Sequence, residues 1–165
     1  MILALTLLIS PAHADTPLKE ALHQELGGHH PPACEALYTG RSEEAVRDAL
    51  ITLVDEAPLP SWVPMRAAGC VLDAQGADPV VLTAARRWVT APETPGLALV
   101  VTEHLDHVQP DAALELAQLA VVRADASPRF AGYLQPILVR SANPKVSALS
   151  ADLKVKPRAA GMVHR

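Results

Sequence analysis

Hydrophobic positions in this chain recur at helical spacing, and prolines and glycines cut them into helix-sized pieces. Glu43 to Glu56 carries a one-sided stripe of Val46, Leu50, Leu53 and Val54, with Glu44, Arg47 and Asp48 turned away. Ser42 before it is an N-cap, and the acidic first turn complements the helix dipole. Pro58 and Pro60 then form a turn, Ser61 opens a helix from Trp62 to Ala74, and Gly76 closes it. The next pair runs from Pro79 to Thr90 and from Pro95 to about Val108, with Asp78 and Thr94 as caps. A third pair covers Asp111 to Ala124 and Pro128 to Ser141, with Ser127 as cap and a kink expected at Pro136. Asn143-Pro144 starts an unpaired helix to about Leu153. The Asp111 helix carries Leu114, Leu116, Leu119, Val121 and Val122 around most of its circumference, which predicts an inner helix flanked on several sides. Upstream, Thr16-Pro17 opens a short helix that Gly27-Gly28 stops, and a further short helix is expected near Ala33 to Tyr38. No stretch alternates as a strand does.

The helix starts are periodic. Asp78-Pro79, Asp111-Ala112 and Asn143-Pro144 lie 33 and 32 residues apart, each opening an Ala/Leu/Val-rich stretch. A period of that length marks a stack of helix hairpins. The expected fold is therefore all-α: a short α-solenoid of about three and a half antiparallel helix hairpins, preceded by an extra N-terminal helical segment. Pro64-Met65-Arg66-Ala67-Ala68-Gly69-Cys70-Val71-Leu72, followed by Gly76-Ala77-Asp78-Pro79-Val80, resembles the second helix and inter-repeat turn of HEAT-type repeats, where an Arg followed by small and apolar residues recurs. That resemblance implies a curved hairpin stack and a protein-binding role.

The ends of the chain read differently. Ile2 to Ile9 run without a charge, Ser10-Pro11 break the run, and Ala12-His13-Ala14 has the small-x-small pattern of a signal-peptidase site. Residues 1–14 are thus expected to be a signal peptide, 15–153 a single helical-repeat domain, and 154–165 a basic flexible tail. The apolar run is too short to span a bilayer. The protein is expected to be exported, periplasmic or extracellular, with no stable membrane span after cleavage. In such a compartment the two cysteines, Cys34 and Cys70, are expected to pair.

Composition narrows the function classes. A net charge of −4 and an aromatic content of 3% supply neither a polycationic surface nor a base-stacking platform, so nucleic acid is not an expected partner. No nucleophile elbow and no phosphate-cradling glycine loop occur, so neither an enzyme nor a cofactor is expected. The one metal-like pattern is Glu103-His104-Leu105-Asp106-His107. Read as one helix, it places His104 in the stripe of Leu97, Val101, Leu105 and Val108 while Glu103 and Asp106 point elsewhere, which makes His104 a core residue and predicts no metal site. A small exported enzyme or metal-binding protein using His104 and His107 is the alternative. The expected function is a non-catalytic module that binds or scaffolds another protein, with Trp62, Trp88, Arg86 and Arg87 as its candidate surface: aromatic anchors are scarce here and the arginines could rim them.

Overall fold

A computed structural model of the chain describes residues 15–56 and 62–153. The expected signal peptide, the Pro58–Pro60 turn, Ser61 and the basic tail lie outside the described residues. Helix accounts for 80% of the structure, in eight α-helices, and no strand occurs among the described residues. The helices are α1 (Asp15–Gly27), α2 (Glu43–Glu56), α3 (Trp62–Gln75), α4 (Pro79–Thr90), α5 (Pro95–Glu103), α6 (Pro110–Asp125), α7 (Pro128–Arg140) and α8 (Pro144–Ala148). Short 3₁₀ turns cover Cys34–Tyr38, Leu105–His107 and Leu149–Asp152. Two compact units divide the chain, one running through Ala67 and the other starting at Ala68.

In the first unit α1 packs on α2, and Leu22, Leu26, Leu37, Val46 and Leu50 are fully buried or nearly so. Burying side chains of this size is worth about 1.5–3 kcal/mol each. The α2 stripe lies on the buried face as its sequence spacing predicts, together with Ala49 and Ile51. Arg66, in α3, donates to the carbonyls of Leu26 and Gly28, at 2.5 and 3.1 Å, and so serves the C-terminal end of α1.

The second unit repeats its connections. α4 packs on α5 and α6, α5 on α6 and α7, and α6 on α7 and α8. Its buried residues include Val81, Trp88, Val89, Val101, Leu116, Leu134, Leu138 and Val146. Helix starts follow from capping chemistry. Asp78 accepts from the Val80 amide, Ser127 from Phe130 and Asn143 from Lys145, and each cap is followed by proline in the first turn.

Several boundaries differ from the sequence reading. α6 starts at Pro110, with Gln109 at the N-cap, so Asp111 sits in the first turn and is not the cap. Pro110 fixes φ one residue ahead of the aspartate and supplies the start itself. Thr94 occupies the N-cap of α5 without a side-chain cap bond. α5 ends at Glu103, with His104 as its C-cap, instead of running to Val108. The last helix ends at Ala148 and gives way to a 3₁₀ turn. α6 is also not buried all round. Its buried face is Ala113, Leu116, Ala117, Ala120 and Ala124, while Val122 is 70% exposed. Small alanines let the neighbouring helices come close on one side, and the larger valine faces away. α7 continues through Pro136.

Both cysteines are oxidised, in a Cys34–Cys70 disulfide. A bridge closing a loop of this length stabilises by about 3–4 kcal/mol through the unfolded chain.

Candidate functional site

Histidines that look like helix neighbours in sequence are brought by the fold to a different partner. Because α5 stops at Glu103, His104 leaves the helical wheel and takes the C-cap position, and His107 closes the following 3₁₀ turn. His104 is not a core residue. Its side chain is 27% exposed and its Nδ1 lies 2.5 Å from Oδ1 of Asp73, a residue near the end of α3. His107 approaches the same oxygen, with Nε2 at 3.6 Å, and the two imidazole centroids are 6.3 Å apart.

Two glycines make this approach possible. A Cβ on Gly69 would stand 2.9 Å from Nε2 of His104, and one on Gly76 would stand 2.5 Å from the backbone oxygen of His107. Gly69 and Asp73 are one helical turn apart on α3, and Gly76 follows just beyond its end, so all three face the His104–His107 segment. Gly76 is therefore needed for close contact. It is not a left-handed cap, since Gly40 holds the one positive φ among the described residues. Gly69, Asp73 and Gly76 stand at i, i+4 and i+7, so sequence spacing puts them on one side of α3 without displaying the segment they meet.

Neither acid adjacent to the histidines joins them. Asp106 accepts from Ser141 Oγ at 3.1 Å and from the Ala142 amide at 3.2 Å, which ties it to the chain leaving α7. Glu103 instead lines a shallow cleft of about 220 Å³ with Thr102, Asp106, Ile137, Arg140 and Ser141. The cleft runs between the ends of α5 and α7. Among the described residues, no three His, Cys, Asp or Glu side chains stand ready-made as a metal cage.

The aromatic and basic candidates are dispersed. Trp62 is 71% exposed at the start of α3, whereas Trp88 is 3% exposed and belongs to the core, so it cannot serve as a contact anchor. Arg86 forms a bidentate pair with Glu115, both bonds 2.7 Å long. That pairing pulls the Glu115 carboxyl below its ordinary range and raises Arg86. Arg87 is engaged as well.

Arg123 is a basic residue that the sequence reading did not single out. It donates to the carbonyls of Val89, Ala91 and Pro92 at 2.9, 2.5 and 2.9 Å, and its guanidinium lies 5.4 Å from the Phe130 ring centroid. Burial lowers its pKa from the ordinary arginine value, and the nearby charge of Glu93 acts in the opposite direction.

No protein-family model, no curated protein and no solved structure matches the chain.

Proposed function

We propose that the chain is an exported, non-catalytic module that binds another protein through a short HEAT-like stack of helix hairpins. The supporting observation is the spacing of the polar ties in the second unit. Asp73–His104, Arg86–Glu115, Arg123–Ala91, Asp106–Ala142 and Pro110–Asn143 span 31, 29, 32, 36 and 33 residues. Each tie joins an element to its counterpart about one period further on. Helices likewise pack both on the next helix and on the next but one, as in α4 on α6, α5 on α7 and α6 on α8. Stacks of this kind present a continuous face made from alternate helices.

On this reading the contact face is the one formed by α5 and α7, where the cleft lies. Glu103 and Arg140 give it charges of both signs around the apolar wall of Ile137, a mixture suited to a protein surface. Exposed Val139, in the same helix as Ile137 and Arg140, adds apolar area. Export rests on the apolar run of Ile2 to Ile9 with its cleavage pattern, and on the disulfide.

The test is affinity capture from the envelope and secreted fractions of the native cell, comparing the natural chain with a Glu103→Lys/Arg140→Glu variant. A protein retained by the natural chain and lost by the variant supports the reading. Equal recovery by both, or no retained protein, rejects it. Fusing residues 1–14 to a reporter active only outside the cytoplasm tests export separately.

A further inference from the structure

One side of α7 is buried in the second unit, and the other is left open. Arg129, Tyr133, Pro136 and Arg140 stand at i, i+4, i+7 and i+11, so they form one exposed stripe along the helix, with Gly132 and Val139 beside it. Tyr133 is 54% exposed and Val139 56%. The two arginines end the stripe, about 16 Å apart along the helix axis. α7 contains no acidic residue, and among the described residues neither Arg129 nor Arg140 is paired with a carboxylate. The stripe therefore offers two uncompensated positive charges with an aromatic and apolar centre between them.

We propose that this stripe docks an acidic amphipathic helix of the partner protein, whose carboxylates meet Arg129 and Arg140 while its apolar side chains lie on Tyr133, Pro136 and Val139. The proposal rests on the reading of α5 and α7 as the contact face and adds the chemistry of what docks there. A matching helix carries acids at i and i+11 and apolar anchors at i+4 and i+7, the same spacing as the stripe. Charge excludes two other occupants. A second copy of α7 would set arginine against arginine, whether the two helices ran parallel or antiparallel. An anionic membrane attracts broad basic surfaces, and this chain carries a net charge of −4.

Local geometry prepares the stripe for such a partner. Arg140 donates from Nε to the Pro136 carbonyl at 3.0 Å, which holds the guanidinium against the helix and leaves its two terminal NH2 groups for a carboxylate. Pro136 lies inside the helix and has no amide to give to the carbonyl of Gly132, four residues earlier. A Cβ on Gly132 would meet nothing within 4 Å, so a partner chain can come close to the backbone there and offer that carbonyl a donor. Glu103, which lines the cleft together with Arg140, repels an acid entering from the cleft. The partner's carboxylate thus reaches Arg140 from the stripe. Asp106 stays tied to Ser141 and Ala142.

The experiment is titration of the disulfide-intact chain with fluorescent peptides of about 16 residues, bridged between side chains to hold the helix. One carries Glu at i and i+11 with Leu at i+4 and i+7, and a second has Lys in place of Glu. The Glu peptide is expected to bind at least about tenfold more tightly than the Lys peptide, with the gap shrinking as salt is raised. Arg129→Glu is expected to weaken the Glu peptide at least about tenfold without lowering the melting temperature, because an acid in the first turn suits the helix dipole. Tyr133→Ala is expected to weaken it about tenfold as well. Lys19→Glu, the same charge reversal in the first unit, is expected to leave binding unchanged. Absence of saturable binding, equal binding of the two peptides, or a Glu peptide indifferent to Arg129→Glu would each overturn the proposal. So would binding to phosphatidylglycerol vesicles with both peptides ignored, or a dimer in sedimentation that Tyr133→Ala dissolves. Affinity capture separates this proposal from the reading beneath it. A protein held equally by the natural chain and Arg129→Glu, yet lost by Glu103→Lys/Arg140→Glu, rejects the stripe and keeps the contact face, whereas capture of no protein rejects the face itself.

Discussion

Arg66 and Arg123 perform the same task in different parts of the molecule. Each comes from a helix two places along and donates to the carbonyl end of an earlier helix, Arg66 to α1 and Arg123 to α4. The last turn of a helix leaves carbonyls without intrahelical donors, and neither α1 nor α4 ends on a left-handed glycine that would bring backbone amides to them. A guanidinium, with five fixed donors, supplies the missing bonds. Their surroundings separate the two. Arg66 reaches two carbonyls, whereas Arg123 reaches three, is backed by Phe130 and is desolvated enough to lower its pKa. The first unit is held by an apolar helix pair with polar contacts at its margin. In the second, polar ties recur at every period.

That contrast predicts the largest difference at glycines. Gly76→Ala in the second unit sets a Cβ against the backbone oxygen of His107, which cannot move as a side-chain tip can, and overpacking of this kind costs about 1–3 kcal/mol. Gly27→Ala in the first unit places its Cβ 3.6 Å from Val63 Cγ2, an ordinary contact, and gains helix propensity of up to about 1 kcal/mol. Urea denaturation should show opposite signs for the two variants. Equal and small effects would mean that His107 is not packed against the end of α3.

The arginines come next in size. Bonds from a charged donor contribute about 1.5–3 kcal/mol, and removal leaves carbonyls to find water where they can. Arg123→Ala is expected to cost about 2–3 kcal/mol, because three carbonyls and the Phe130 face lose their partner together. Arg66→Ala is expected to cost about 1–2 kcal/mol, with two carbonyls freed. Chemical denaturation midpoints check the order. A larger loss at Arg66 would reverse the comparison.

Local chemistry made much of this legible in advance. The caps at Asp78, Ser127 and Asn143, the stripe of α2 and the all-helical class depend on residues a few positions apart, and sequence displays those directly. The cysteine pairing was legible because the chain has just two. Other features depended on where a helix stops. A wheel drawn through His104 assumed that α5 reached Val108, but the helix ends at Glu103, and this moves both histidines onto a turn facing α3. Asp73 is 31 residues from His104, so packing alone reveals their contact. Leu and Val dominate the hydrophobic pattern of α6 in sequence, yet four of the five residues on its buried face are alanine. Arg123 reads as an ordinary surface charge until α4 is seen to end beneath it.

The smallest expected effect concerns the ion pairs and their response to acid. In the first unit Arg41 grips Glu25 with two bonds, of 2.7 and 3.1 Å, while also donating to the Leu37 carbonyl. The Arg41 hydrogen bond is the main cause that lowers the Glu25 carboxyl below its ordinary 4.5, against a smaller opposing effect of burial. A carboxyl whose folded value lies below its unfolded one adds stability that is present above the unfolded value and disappears as pH falls through the folded value. The pair therefore contributes at neutral pH and ceases to contribute in strong acid. With side chains 28% and 34% exposed, it is worth less than about 1 kcal/mol. Glu115 in the second unit is lowered in the same direction by Arg86, but that pair is more exposed, at 46% and 42%, and salt screens it more strongly. Arg41→Leu should thus lower the urea midpoint slightly at pH 7, and the gap from the natural chain should close as pH falls through the folded value of Glu25, in low and in moderate salt alike. Arg86→Leu should give a smaller gap at pH 7 that moderate salt removes. A gap for Arg41→Leu that persists unchanged into acid would show that its bond to Leu37, and not the Glu25 carboxylate, is what the arginine contributes.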